Sequence, residues 1–83
     1  MTLSTVPFGE EYVIKGMWCN DYERTLLETV GLTCDSVVYI VTKTFGCFLV
    51  GINGTCVALD EELARRIMVE IKEDLIWRHY ETQ

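Results

Sequence analysis

The chain has 83 residues, 49% hydrophobic and 24% charged, the usage of a single small globular domain, which excludes a multidomain enzyme and a disordered segment alike. Thirteen Asp and Glu against seven Lys and Arg give a formal net charge of −6, and only Arg65 and Arg66 among the cations are adjacent, so neither nucleic acid nor an anionic lipid surface is expected as a partner. The longest apolar run, Val37 to Val41, is far below the ~20 residues of a membrane span, and Met1 to Gly9 has no export signal; no direct membrane insertion is expected, and a cytoplasmic location with reduced thiols is.

Pro7, Phe8 and Gly9 form an opening turn, after which Glu11 to Lys15 reads as a strand with Tyr12 and Ile14 on one face, ending at Gly16. Asn20 followed three residues later by Glu23 is a capping box, in which each residue satisfies an orphan backbone amide at a helix start. Tyr22, Leu26, Leu27 and Val30 then make one apolar stripe, Glu23, Arg24 and Glu28 are expected to face water, and Gly31 supplies a left-handed stop. Ser36 to Lys43 is dense in Val, Tyr and Ile and reads as a second strand; Cys47 to Ile52 is a third.

Asn53-Gly54 is the pair a two-residue type I′ hairpin requires, because both central residues need positive φ. Counting outward, Ile52 opposes Thr55, Val50 opposes Val57 and Phe48 opposes Leu59, with Leu49, Gly51, Cys56 and Ala58 on the other face. Asp60 caps a short helical turn carrying Glu61 and Glu62 at its start and Arg65 and Arg66 at its end, with Leu63 and Ala64 inward. Ile67, Val69 and Ile71 form a last strand, expected to pair with the first and shut the sheet. The reading is mainly β: a small SH3-like barrel of about five strands with an inserted helix over residues 1–71, followed by a C-terminal tail, 72–83. Along that tail Leu75, Ile76, His79 and Tyr80 share one face of a helical pattern, with Trp77 at its border.

This order of pieces resembles the FeoA family of small accessory proteins for bacterial ferrous iron transport. The resemblance is carried by Val6-Pro7-Phe8-Gly9, by Leu26 to Leu32 as a leucine-rich helix ending in Gly-Leu, and by Thr44-Phe45-Gly46. It is carried further by Gly54 with Val57-Ala58-Leu59, then Ala64, Ile67 and Val69. Two departures are visible: Cys34-Asp35 stands where the family usually has Pro-Gly, and the chain is more acidic than is common there. The resemblance implies action by binding the cytosolic part of the FeoB iron permease, a membrane protein with a GTPase domain.

An enzyme needs a positioned acid, base or nucleophile, and the chain has one histidine, no phosphate-cradling loop, no nucleophile elbow and no HExxH; no catalytic residue and no cofactor are assigned. Cys19, Cys34, Cys47 and Cys56 lie 15, 13 and 9 residues apart, matching no zinc knuckle, and the hairpin register puts Cys47 about 13 Å along the strand from the residue opposite Cys56, so no metal site is assigned. The alternative function, an iron- or zinc-binding sensor or carrier, would use these thiols with carboxylates. If Val38, Ile40, Phe48 and Val50 point into the core, then Val37, Tyr39, Val41 and Leu49 point out, an apolar strip to be covered by the tail, by another copy of the chain or by a partner protein. Those four residues with Trp77 are the candidate partner-binding set, and Trp18 is a further aromatic anchor.

Overall fold

The computed structural model describes residues 1–72. Five antiparallel strands, β1 (Tyr12–Met17), β2 (Val37–Thr44), β3 (Cys47–Ile52), β4 (Thr55–Asp60) and β5 (Ile67–Ile71), form one sheet in the order β4-β3-β2-β1-β5. Helix α1 (Asp21–Thr29) is inserted between β1 and β2, and the single turn α2 (Glu61–Ala64) between β4 and β5. This is the SH3-like arrangement of elements read from the sequence, with one correction. β5 pairs with β1 along Tyr12↔Ile71 to Met17↔Ile67, as expected, but among the described residues it does not pair with β4, so the sheet curls without closing.

The β3–β4 hairpin has the counted register: Ile52↔Thr55, Val50↔Val57 and Phe48↔Leu59. Asn53 at φ 48° and Gly54 at φ 80° supply the two left-handed residues that match a tight turn to the twist of its strands. Asp35 also adopts positive φ, at 73°, so a short polar residue occupies the left-handed position in the turn before β2.

Alternation across the sheet sends Tyr12, Ile14, Val38, Ile40, Phe48, Val50, Ile52, Leu59, Ile67 and Val69 into one core, joined by Leu27 and Ala64 from the helices and Leu32 from the turn after α1. Two irregularities interrupt the ladders, one at Lys15 between Ile14 and Gly16 and one at Val41 between Ile40 and Thr42; each bends its strand and helps the sheet curl.

The N-terminal residues do structural work that no periodic signal announces. Leu3 and Val6 are fully buried, Thr2 bridges Met68, the Leu3 amide donates to the Ile67 carbonyl at 2.9 Å and the Val69 amide to the Met1 carbonyl at 2.8 Å, so residues 1–3 cover the free edge of β5. Lys43 fastens the following loop: its Nζ donates to the Val6 carbonyl at 2.8 Å and lies 5.6 and 5.3 Å from the ring centres of Phe8 and Phe48.

Because β1 is paired on both sides and Ile14 is fully buried at its middle, Ile14→Ala should cost about 2–5 kcal/mol, read as a fall in the urea midpoint at constant m.

Candidate functional site

Helix α1 starts at the expected capping box: the Glu23 amide donates to Asn20 Oδ1 at 2.8 Å and the Asn20 amide to Glu23 Oε1 at 3.1 Å. Gly31, at φ 95°, follows its end beside Ile52 and Asn53 of the hairpin. The orientation of the helix differs from the sequence expectation. Of the apolar stripe Tyr22, Leu26, Leu27 and Val30, only Leu27 is buried, while Tyr22 is 73% exposed and Leu26 and Val30 are exposed as well. The row of α1 that faces the body is Glu23 and Leu27, four residues apart; the row beside it, about 100° round the helix, is Tyr22 and Leu26, continued by Val30 at the C-cap.

An ion pair ties the helix in this orientation. Both Glu23 carboxylate oxygens accept from Arg66, at 3.2 and 3.1 Å, in a bidentate fork between α1 and the turn before β5, although the sequence reading placed Glu23 in water. Arg66 Nε is buried and has no hydrogen-bond partner among the described residues. The same corner is tied by the Trp18 amide donating to the Arg66 carbonyl at 2.7 Å and by Arg24 Nη2 donating to the Met17 carbonyl at 3.2 Å. The backbone of Trp18, two residues before the N-cap of α1, is thus held while its indole is 71% exposed. Tyr22, Leu26 and Val30 form an apolar row on the helix, and Trp18 is an exposed aromatic in the segment that leads into it.

The sheet's outer face carries the residues expected there. Tyr39 and Val41 are exposed, Val37 and Leu49 are half-buried, and Trp77 lies outside the described residues. Tyr39 is opposite Gly51 across the β2–β3 ladder, and a Cβ added to Gly51 would fall inside its ring, so the phenol lies flat on the glycine. An open cleft of about 350 Å³ beside Tyr39 is lined by Gly9, Glu10, Glu11 and Ile40; at its border Lys72 pairs with Glu11 at 3.7 Å. Phe45, at the tip of the β2–β3 turn, is fully exposed and was given no contact role by the sequence reading.

Cys34, Cys47 and Cys56 are exposed, Cys19 packs partly on the core, and all four thiols are free. Cys47 is opposite Asp60 and Cys56 opposite Gly51, the separation counted from the hairpin. Among the described residues no three His, Cys, Asp or Glu side chains come together as a cation site. Among the same residues, no helix is long and apolar enough to cross a membrane.

Residues 1–71 match the family model for the FeoA domain. Among solved structures the chain is similar to an iron uptake regulatory protein, FeoA, at 22% identity and TM-score 0.78, over 87% of this chain and 97% of that one. The FeoA protein of Chlorobium tepidum aligns at 20% identity and TM-score 0.82, over 88% and 71%. Stenotrophomonas maltophilia FeoA complexed with zinc aligns at 28% identity and TM-score 0.72, over 84% and 89%. No curated protein sequence matches the chain.

Two predictions follow from this geometry. The Asn20 amide and then Arg66 hold the Glu23 carboxyl below its ordinary value, so its contribution to stability is present above the unfolded carboxylate range and is lost as pH falls through the folded value. The melting temperatures of wild type and Glu23→Gln should differ near neutral pH and converge in acid. Gly51→Val should displace the Tyr39 ring, seen as loss of ring-current shifts at residue 51 and a drop in melting temperature.

Proposed function

The chain belongs to the FeoA family of small accessory proteins of ferrous iron transport, and on that premise we propose that it works in the cytoplasm by docking on the cytosolic region of a FeoB-type GTPase permease, without a reaction of its own. The observation that carries this reading is the exposed row of Tyr22, Leu26 and Val30 along α1, turned away from the core, with exposed Trp18 in the segment just before the helix. A helix normally buries its apolar stripe; one that exposes it on a backbone held by the Glu23–Arg66 fork is preorganised for a hydrophobic groove on a partner. Trp18 and Tyr22 are the residue types that anchor such contacts, and loss of an anchor typically costs about 2 kcal/mol or more.

The outer sheet face, with Val37, Tyr39, Val41 and Leu49, is a second and flatter contact surface, and Trp77 belongs to the same candidate set. Its apolar residues are less available, since Val37 and Leu49 are half-buried and Tyr39 is engaged with Gly51. The similar protein from Stenotrophomonas maltophilia has been suggested as a ferrous iron transport activating factor, a role of the same kind.

The test is the affinity of the full chain for the cytosolic domain of its cognate permease, measured by interferometry with each guanine nucleotide bound. Trp18→Ala and Leu26→Glu should each weaken binding roughly tenfold or more while leaving the melting temperature unchanged. Absence of wild-type binding in every nucleotide state sinks the proposal, and a loss confined to Tyr39→Glu moves the contact to the sheet.

A further inference from the structure

The two edges of the sheet are treated differently. The free side of β5 is covered by residues 1–3 of the same chain, whereas β4 pairs with β3 on one side and with no strand on the other among the described residues. In a two-residue hairpin the residues flanking the turn exchange both hydrogen bonds, and the pattern then alternates. Thr55, Val57 and Leu59 therefore direct their amides and carbonyls at β3, and Cys56 and Ala58 direct theirs outward from the edge. Both side chains are exposed as well.

We propose that this edge is a self-association site, at which β4 pairs antiparallel with β4 of a second copy of the chain. Three observations select a second copy over another occupant. The free groups are self-complementary: a two-fold axis at Val57 sets Cys56 opposite Ala58 of the partner subunit and Ala58 opposite Cys56 of the partner subunit, which uses both free amides and both free carbonyls of each chain in four hydrogen bonds.

Next, Thr55 to Leu59 carries no charge, no proline and no bulge, the devices that ordinarily keep an edge from pairing, and so offers a charged peptide nothing to recognise. Finally, the axis stands perpendicular to the sheet, so the outer faces of the two copies lie on the same side. Leu49 and Ala58, opposite each other on β3 and β4, then continue into their counterparts as one apolar surface. The interaction adds a partner to the reading above and does not require the permease, so failure of either leaves the other standing.

The experiment is sedimentation velocity of the full chain, under reducing conditions, across a roughly hundredfold range of concentration. Wild type should show a concentration-dependent shift from monomer to dimer. Ala58→Pro removes an outward amide without touching the β3 ladder, and should be monomeric with an unchanged circular dichroism spectrum. Ala58→Lys places a charge on the same edge and should also abolish the dimer, deciding the matter if the proline variant does not fold. Tyr22→Glu, on the helix, should dimerise as wild type does. A wild-type chain that stays monomeric throughout overturns the proposal, as does a dimer that survives in folded Ala58→Pro or Ala58→Lys, or one that is lost in Tyr22→Glu.

Discussion

The register of β3 between its two neighbours is the constraint on which the remainder of the molecule rests. Side chains alternate with period two, so a slip by one residue would replace Phe48, Val50 and Ile52 in the core with Cys47, Leu49 and Gly51. The core would lose three large apolar groups and gain a glycine at its centre. Asn53-Gly54 prevents the slip on the β4 side, because only that pair of left-handed residues closes the loop in two residues. On the β2 side, Tyr39 over Gly51 works the same way: the ring has room only opposite the residue without a side chain. The outer face, the free edge and the place where the hairpin meets Gly31 at the end of α1 are all consequences of that one alignment.

The helix shows how much of such a fold is local. The capping box, the left-handed stop and the apolar composition of α1 are written in consecutive residues and were legible as such. Which side of the helix meets the body was not, because the deciding partner, Arg66, lies 43 residues from Glu23. Amphipathic periodicity states that one side of a helix is apolar; it does not state that the apolar side is the buried one. Here a half-buried bidentate pair and one leucine face the body while three apolar residues stay exposed, so the edge of the helix's apolar stripe, not its centre, meets the core.

Other features were hidden for related reasons. Leu3 and Val6 enter the core from an irregular segment with no period to detect; Leu3 is held by β5, at the far end of the described chain, and the Val6 carbonyl by Lys43 of β2. The bulges at Lys15 and Val41 follow from the curvature of the sheet and leave no mark in composition. A small domain gains by removing its sheet edges, which suggests closure; the chain instead covers one edge with its own N-terminus and, among the described residues, leaves the other unpaired. By contrast the outer residues Val37, Tyr39, Val41 and Leu49 were legible, since alternation within a strand needs no distant partner.

A domain of this size gains stability from each apolar side chain it buries, so keeping Trp18, Tyr22 and Leu26 in water forgoes a contribution of about 1.5–3 kcal/mol for each large group. The arrangement that withholds them is not loose. It is held by two charge-assisted hydrogen bonds to Arg66 and by backbone contacts at Met17 and Arg66, at the expense of a buried Nε without a partner. Energy is thus invested in the direction of a surface rather than in the core. The exposed row on α1 and the β4 edge, unpaired among the described residues, are also different kinds of surface: one offers side chains and no backbone, the other mainly backbone with small side chains. Groups so unlike each other suit different kinds of contact, one through side chains and the other through backbone hydrogen bonds.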